Sequence, residues 1–273
     1  MRKSIGYIGK RLFHLLWNPH SAGKFIVKQR LINEYQILVF VNEDVGCRVY
    51  CYGDFEKDET ALIGHLIREK DICMDIGANI GYYTLLMASK AKKGKVHAFE
   101  PILRNYHLMC SSILMNGFEN VVPNCCAIGN VDGSLDFSVA DDSAYSSFVD
   151  TGWKSIVKRV KVPVKTLDTY CAEHFIDKVD IIKVDVEGAE KLVLEGAQNI
   201  LRDTKRKPRI IMLELYEPIQ QRYSSTIDGV LNVLKLFSYF PFIYTNGIIT
   251  SFEKKHYNKF SNIFFVEDPK SLK

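Results

Sequence analysis

The sequence predicts an α/β fold in which a parallel sheet is covered by helices on both faces. Between residues 71 and 266, short apolar runs alternate with segments of helical periodicity, which is typical of strands joined by crossover helices. The runs contain few polar residues, as expected for strands buried on both faces. Right-handed crossovers place the carboxyl ends of such strands along one edge of the sheet, so we expect a ligand site there.

The composition is that of an ordinary globular protein. The chain has 273 residues, 47% of them hydrophobic and 25% charged, enough to bury a core without disulfides or a structural metal. A net charge of +4 is too small to indicate nucleic-acid binding, so we expect no nucleic-acid partner. Seven scattered cysteines favour a reducing cytoplasm. Cys47 and Cys51 have the spacing of half a zinc site, but no second pair follows, and we predict no metal.

Residues 1–34 predict a basic amphipathic segment outside the main domain. Its apolar residues are interleaved with seven basic ones against a single acid, Glu34. The apolar stripe of such a helix either packs on the domain or contacts an anionic membrane surface. No run approaches the roughly 18 to 20 apolar residues of a spanning helix, and no signal peptide is recognisable. We therefore expect a cytoplasmic protein, with peripheral contact at the inner face of a membrane as the alternative for this segment.

A small antiparallel extension is expected before the alternating region. Residues 35–41 and 47–52 are short β-type runs separated by a glycine-containing loop, which is the pattern of a hairpin. We place this β-hairpin extension at residues 35–54 and the main domain at residues 55–273. Helical spacing begins the main domain at residues 58–67.

Strands and helices then alternate, with one long excursion at residues 131–165. The excursion contains Tyr145, Ser146 and Ser147, and is either a solvated connector or a lid that recognises hydroxyl groups. The strands are predicted at residues 72–75, 95–99, 121–128, 179–184 and 209–214, and the helices between them at 82–91, 105–116 and 189–201.

The strongest local signal is the segment from Asp75 to Gly81, which ends the first strand of the main domain and opens a helix. Gly77 would let the chain turn tightly and a ligand approach the backbone, and Gly81 would let the helix lie close to the sheet. The spacing departs from Gly-x-Gly-x-x-Gly, because Asn79 and Tyr82 stand where the second and third glycines are expected. A pyrophosphate would therefore have a poor cradle here.

Glu100 ends the second strand, at about the interval after the glycine turn where an acid reaches ribose hydroxyls. An NAD(P)-dependent reductase would carry the same acid, but it would need the missing phosphate glycines, and no Tyr-x-x-x-Lys pair for hydride chemistry is evident. An adenosine ligand without pyrophosphate removes that need, and S-adenosylmethionine is such a ligand. The reductase and a non-catalytic binding module at a membrane surface stay as alternatives.

Taken together, these motifs resemble the FkbM family of S-adenosylmethionine-dependent methyltransferases. The resemblance covers roughly residues 55–266 and implies a Rossmann-like seven-stranded sheet whose last strand is antiparallel, which residues 261–266 suit. It also implies O-methylation of a small-molecule or glycan acceptor, commonly a hydroxyl of a sugar or natural product. The matching segments are 75–84, 99–101 with Asn105, 166–168, 181–190 and 194–197.

Site residues are carried over by position. The resemblance implies that Gly77, Ala78 and Asn79 line the methionine and ribose portion of the cofactor, within the turn from Asp75 to Gly81. It implies that Glu100 holds the ribose hydroxyls and that Ala127 faces adenine. No carboxylate stands near Ala127 to accept from the adenine amine, so a backbone or apolar contact is expected there.

Acidic residues at the ends of two strands are the candidates for catalysis. Lys183 lies within a buried strand and needs a carboxylate partner, which Asp185 or Glu214 could provide. Methylation of a hydroxyl also requires a base within hydrogen-bonding distance. Asp185 and Glu187 are the first candidates and Glu214 the next, although an acid such as Glu187 or Glu190 could instead cap the following helix.

The membrane alternative for residues 1–34 can be tested directly. If the segment binds membrane, the full chain should sediment with anionic vesicles at low salt and be released as salt rises, because salt screens its charges. Equal sedimentation of a chain that starts near Tyr35 would exclude this role.

Overall fold

The computed structural model describes residues 26–31 and 34–272. Its strands and helices are β1 (Ile26–Arg30), β2 (Gln36–Phe40), α1 (Asp44–Tyr52), α2 (Lys57–Leu66), β3 (Ile72–Ile76), α3 (Tyr82–Lys90), β4 (Lys95–Phe99), α4 (Leu103–Met115), β5 (Val121–Asn124), β6 (Ala127–Ile128), β7 (Gly133–Ala140), β8 (Ile156–Lys165), α5 (Leu167–Glu173), β9 (Ile181–Val184), α6 (Glu190–Glu195), α7 (Gln198–Arg202), β10 (Ile210–Glu214), α8 (Glu217–Arg222), α9 (Ile227–Lys235), β11 (Phe240–Thr245), β12 (Ile248–Ser251) and β13 (Asn262–Val266).

The central sheet confirms the predicted α/β class. Within the described residues it has eight strands in the order β12-β11-β13-β10-β9-β3-β4-β5. Strands β5, β4, β3, β9 and β10 are parallel, and β13 lies antiparallel between β10 and β11, as expected for the last strand. The expected count of seven is exceeded by the edge strand β12, which a two-residue turn joins to β11. Asn246 and Gly247 form that turn with φ of 50° and 81°, the conformation that tight hairpins favour.

The strand order creates a crevice at the centre of the sheet. From β3 the chain proceeds through β4 to β5 on one side, and later returns to β9 on the other side of β3. Ligands bind outside the carboxyl ends of strands at such a switch point. The topology therefore predicts a ligand site among the loops that follow β3, β4, β9 and β10.

The two faces of the sheet are packed by separate apolar cores. Successive residues of β3 point to opposite faces, so Cys73 lies in one core and Met74 in the other. The first core includes residues of α2, α3 and α4, and the second includes residues of α5, α6, α7 and α9. Both cores leave the carboxyl ends of the strands open to the crevice.

The amino-terminal prediction is corrected in part. Residues 1–25, 32 and 33 lie outside the described residues, so the amphipathic helix and its two interpretations stay predictions. Residues 26–30 are not helical: β1 pairs antiparallel with β2, with Val27 opposite Val39. A truncation that tests the basic segment should therefore start at Ile26 and keep this hairpin. Among the described residues, no helix is long and apolar enough to cross a membrane.

The predicted strand at residues 47–52 is wrong, because these residues belong to α1. Val45 and Val49 are four residues apart and therefore share one helix face. Gly46 lies against the backbone of Phe40, where a β-carbon would collide with the carbonyl oxygen. Gly53 ends the helix with φ of 75°, the left-handed conformation that glycine allows. The hairpin predicted at 35–54 is thus formed by β1 and β2.

Two other predicted elements are divided in the structure. The strand expected at 121–128 splits into β5, at the edge of the central sheet, and β6, which joins a second sheet of order β6-β8-β7. Strands β7 and β8 form a long antiparallel hairpin that accounts for most of the excursion at 131–165. The helix expected at 189–201 splits at Gly196, where a β-carbon would collide with the carbonyl oxygen of Gly129.

The corrected role of α1 can be tested by adding one methyl group. Gly46→Ala should lower the free energy of unfolding by about 1 to 3 kcal/mol, because the backbone of β2 has little room to move away. Denaturant unfolding would measure the change. Gly64→Ala is the matched control in α2, where the nearest atom is the flexible end of Leu86, and its stability should stay unchanged or rise by up to about 1 kcal/mol. Equal effects of the two variants would contradict the packing of α1 on β2.

Candidate active site

The crevice at the strand ends is a cleft of about 870 Å³, a volume that includes its opening to solvent. Its walls come from the carboxyl ends of β3, β4, β9 and β10, from β6 and β7, and from the segment that follows β7. Predicted site residues from both halves of the chain are therefore brought together. Those that line the cleft are Gly77, Asn79, Glu100, Ala127, Asp185, Glu187 and Glu214.

Asp75, predicted to contact the cofactor, instead lies beneath the cleft. Its side chain is fully buried, and its carboxylate accepts a hydrogen bond from Thr84 Oγ1. The other carboxylate oxygen faces Lys183 Nζ at 3.8 Å. Asp75 therefore stabilises the ammonium group of Lys183 and does not line the cleft.

Ala78 and Gly81 also lie outside the cleft lining. The N–H groups of Gly77 and Ala78 both donate to the carbonyl oxygen of Phe99, at 3.0 and 2.9 Å, which ties the turn after β3 to the end of β4. At Gly81, with φ of 89°, a β-carbon would lie 2.7 Å from Met109 Cγ. Gly81 was expected to let its helix lie close to the sheet, but the close contact is with Met109 of α4. Ala78 and Gly81 therefore shape the turn.

Glu100 is held as a hydrogen-bond acceptor at the end of β4. Its Oε2 accepts from the N–H of Asn79 and its Oε1 from the N–H of Ile102, each at 2.8 Å. Burial raises the pKa of this carboxyl from 4.5 to about 7, although the two N–H donors oppose the rise. Each carboxylate oxygen can accept more than one hydrogen bond. Glu100 can therefore still accept hydrogen bonds from two neighbouring hydroxyl groups.

Three acids converge at the opposite wall. The carboxylates of Asp185, Glu187 and Glu214 offer oxygens that all lie within 4.8 Å of one another. Lys183 Nζ donates to Asp185 Oδ2 at 3.0 Å, as the buried lysine was expected to do. This spacing would also suit a divalent cation, so the absence of a metal from the site stays a prediction.

The three acids differ in their protonation. Burial alone would raise the pKa of Asp185, but the Lys183 ammonium and a hydrogen bond from Glu214 hold it below its ordinary value. The charge of Asp185, followed by burial, raises the pKa of Glu214 well above its usual range. Burial and then Asp185 raise that of Glu187. Asp185 is thus the member of the three that ionises most readily, whereas Glu187 and Glu214 hold their protons more tightly than ordinary glutamates.

Glu56 is a cleft residue that none of the sequence motifs identified. It precedes α2 with φ of 47°, and its carboxylate accepts hydrogen bonds from the Tyr83 hydroxyl at 2.7 Å and from Asn262 Nδ2 at 2.8 Å. The nearest signal in the sequence is Tyr83, within the recognised motif. A hydroxyl in so buried a helix requires an acceptor, but its identity depends on the tertiary fold.

The segment after β7 forms part of the cleft wall, and its role as a lid stays a prediction. Tyr145 and Ser146 line the cleft. Ser147 does not; its Oγ donates to the carbonyl oxygens of Val186 and Glu187, at 3.2 and 3.0 Å. Ser147 therefore fastens this segment to the loop after β9, and Tyr145 and Ser146 are the members that a ligand can meet.

Comparison with known proteins agrees with this geometry. The Methyltransferase FkbM domain matches residues 75–243, a range that contains the glycine turn, Glu100 and all three converging acids. The chain belongs to the FkbM methyltransferase family. The resemblance read from the motifs is thereby confirmed.

Named relatives are distant and longer than the region they share with this FkbM-family chain. Methyltransferase sdnD of Sordaria araneosa is 25% identical over 174 residues, 53% of this chain and 66% of that protein. Hexuronic acid methyltransferase AglP of Haloferax volcanii is 28% identical over 150 residues, 54% of this chain and 58% of that protein. Among solved structures, a putative methyltransferase from Streptococcus mutans in complex with S-adenosylhomocysteine has 11% identity and a TM-score of 0.43, over 76% of this chain and 94% of that one.

S-adenosylmethionine is the cofactor of this family, and the residues of the cleft fit it. Glu100 offers acceptors for the two ribose hydroxyls beside the turn at Gly77 and Asn79. Ala127, at the start of β6, is an apolar residue of the cleft lining. Its assignment to adenine stays a prediction.

Removal of the Glu100 carboxylate should weaken cofactor binding. Glu100→Ala is expected to reduce the affinity for S-adenosylhomocysteine by roughly 1.5 to 3 kcal/mol, the range for hydrogen bonds to a charged group. Calorimetry would measure the affinity, and circular dichroism would check that the variant is folded. Unchanged affinity in a folded variant would remove Glu100 from the ribose site.

The raised pKa of Glu100 adds a pH dependence with a defined sign. Because the carboxylate is the better acceptor, affinity for S-adenosylhomocysteine should increase as pH rises through about 7, and Glu100→Gln should flatten that increase. Stability without ligand should change in the opposite direction. Glu100 has a pKa of about 7 in the folded chain and of about 4.5 as an ordinary glutamate. Its contribution to the free energy of unfolding is therefore fully present below pH 4.5 and is lost as the pH rises through about 7.

Proposed function

We propose that this protein transfers a methyl group from S-adenosylmethionine to a hydroxyl group of a sugar, glycan or natural product. The observation that carries the proposal is the placement of Glu100 on one side of a single cleft and of Asp185, Glu187 and Glu214 on the other. One side suits an adenosine cofactor. The other suits an acceptor that must lose a proton.

The chemistry of the reaction explains why the acids lie where they do. S-adenosylmethionine supplies the methyl group as an electrophilic carbon on a positively charged sulfur. That charge disappears as the acceptor oxygen bonds to the carbon, so a carboxylate placed against sulfur would stabilise the starting state more than the transition state. Acids that surround the acceptor hydroxyl act on the oxygen instead, and positioning of the two reactants supplies much of the acceleration.

Asp185 is the preferred base among the three acids. It is ionised, and Lys183 fixes its position from below at 3.0 Å. When the new oxygen–carbon bond forms, the hydroxyl proton passes to the pair formed by Asp185 and Glu214. Because these two carboxyls interact strongly, they titrate as a unit and not as separate residues. Glu187 lies further along the loop after β9, where it can contact the acceptor.

The names of the relatives support a hydroxyl-bearing acceptor. AglP is named as a methyltransferase of a hexuronic acid, a sugar derivative. The matched region spans 58% of AglP and 66% of sdnD, so activity and acceptor class are proposed here and are not transferred from either name.

An NAD(P)-dependent reductase is the main alternative, and cofactor binding separates the two. Asn79 and Tyr82 replace the glycines that a pyrophosphate would need. Calorimetry with S-adenosylhomocysteine and with NADH should therefore give tight binding of the first only. Binding of NADH alone would overturn the proposed function, and binding of neither would favour a non-catalytic module.

The base can be identified with two conservative variants. If Asp185 accepts the proton, Asp185→Asn should reduce turnover by roughly 10²- to 10⁴-fold with little change in cofactor affinity, the usual range for general-base assistance. Glu187→Gln should mainly change the KM of the acceptor. Transfer of labelled methyl to the acceptor would measure both. Near-normal turnover in Asp185→Asn would move the base to Glu187, and near-normal turnover in both would indicate catalysis by positioning alone.

A further inference from the structure

An aromatic platform extends from the acceptor side of the cleft to the surface. Trp153 stacks on Tyr145, with ring centroids 6.3 Å apart and an angle of 25° between the planes. It also contacts Tyr216, with centroids 5.6 Å apart. Tyr145 lines the cleft, and Trp153 is 50% exposed. The three rings therefore form one contiguous aromatic cluster whose outer member, Trp153, is open to solvent.

The three rings of this platform come from different parts of the chain. Tyr145 and Trp153 belong to the segment between β7 and β8, whereas Tyr216 follows β10, two residues beyond Glu214. The tertiary fold therefore assembles the platform beside the acids. The proposed proton transfer requires neither the stacking of these rings nor the solvent exposure of Trp153. The catalytic residues therefore do not explain the platform.

The charge of the cleft restricts what can enter it. Among the described residues that line it there is no Lys, Arg or His. Two cations lie near the lining: Lys154 lies 5.6 Å from the ring centroid of Tyr145, and Arg48 pairs with Asp44 at 3.1 Å. A bound carboxylate or phosphate would therefore find no basic side chain in the lining and would lie close to Asp185, the acid of the lining that ionises most readily.

The carboxyl groups of the lining favour a ligand that is rich in hydroxyl groups. Carboxyl groups accept hydrogen bonds from hydroxyls when they are ionised, and they can also donate one when they are protonated; Ser146 adds a further polar group to the lining. The exposed part of the Trp153 ring offers an apolar surface for the C–H face of a ligand ring. A carbohydrate ring combines an apolar face with hydroxyl edges, so it matches both the platform and the acids.

We propose that the acceptor is an uncharged sugar whose ring stacks on Trp153 while one of its hydroxyl groups reaches Asp185. This inference rests on the proposed function and names the acceptor class for the same site. It makes Trp153 a specificity-determining residue and excludes uronic acids as good acceptors, although a relative is named for one.

Tryptophan fluorescence can test the proposal, because the chain has only two tryptophans. In a Trp17→Phe variant the emission reports on Trp153 alone. The protein would first be saturated with S-adenosylhomocysteine and then titrated with methyl β-glucopyranoside, or with the corresponding methyl glucuronide, which differs only by a carboxylate at C6. We expect the neutral sugar to change the emission and the glucuronide to bind more than about tenfold more weakly.

Variants then identify the surface that binds. In ligand-observed NMR, Trp153→Ala should weaken binding of the neutral sugar by about three- to tenfold while the affinity for S-adenosylhomocysteine stays the same. Phe175→Ala is the matched control, because Phe175 is 90% exposed and lies before β9, at the other end of the sheet. This control should bind both ligands normally.

Each outcome has a defined meaning. Equal or tighter binding of the glucuronide, no binding of either sugar, or unchanged sugar binding in Trp153→Ala would overturn the inference while leaving the methyltransferase proposal intact. Failure to bind S-adenosylhomocysteine at all would instead contradict the proposed function.

Discussion

The ion pairs of Lys183 are the interaction on which the site depends. Lys183 stands opposite Asp75 in the register of β9 and β3, and its Nζ lies 3.0 Å from Asp185 and 3.8 Å from Asp75. Burial disfavours the ammonium ion, but these two carboxylates raise the pKa of Lys183 above its ordinary value overall. A buried charge of this kind is costly once it loses a partner. The ion pairs therefore fix the ends of two neighbouring strands and keep Asp185 ionised.

Backbone strain accompanies these charges around the cleft. Glu56, Asn79 and Glu187 all have positive φ, at 47°, 51° and 54°, and all three line the cleft. Left-handed conformations are unfavourable for residues other than glycine, and they persist where the surrounding contacts require them. At Asn79 the contact is the N–H bond to Glu100. At Glu187 it is the bond from Ser147 to the carbonyl oxygen. The left-handed conformations thus allow the Asn79 N–H to reach Glu100 and the Glu187 carbonyl oxygen to reach Ser147.

The sequence predicted the parts of the fold that are local and periodic, such as β3 to β4 with their helices and the acids after β9. It failed where tertiary contacts decided the outcome. Residues 47–52 alternate like a strand, but the fit of Gly46 against Phe40 makes them helical. Asp75 was expected at the cofactor because it opens the glycine motif. In the structure it is buried and pairs with Lys183 on the neighbouring strand. Glu56 belongs to no motif, so only the folded chain places it in the site.

The arrangement of charge also links the two sides of the cleft. Asp185 and Glu214 lie close together, and the charge of Asp185 raises the pKa of Glu214 well above its ordinary value, while the pKa of Asp185 itself is lowered. In the reaction proposed above, an acceptor hydroxyl that releases its proton to this pair would neutralise a carboxylate in the site. A neutral acceptor would add no charge there, whereas an anionic one would place a second negative charge close to Asp185. The proposed proton transfer and the proposed acceptor class therefore both depend on these acids and on the buried Lys183 that pairs with Asp185.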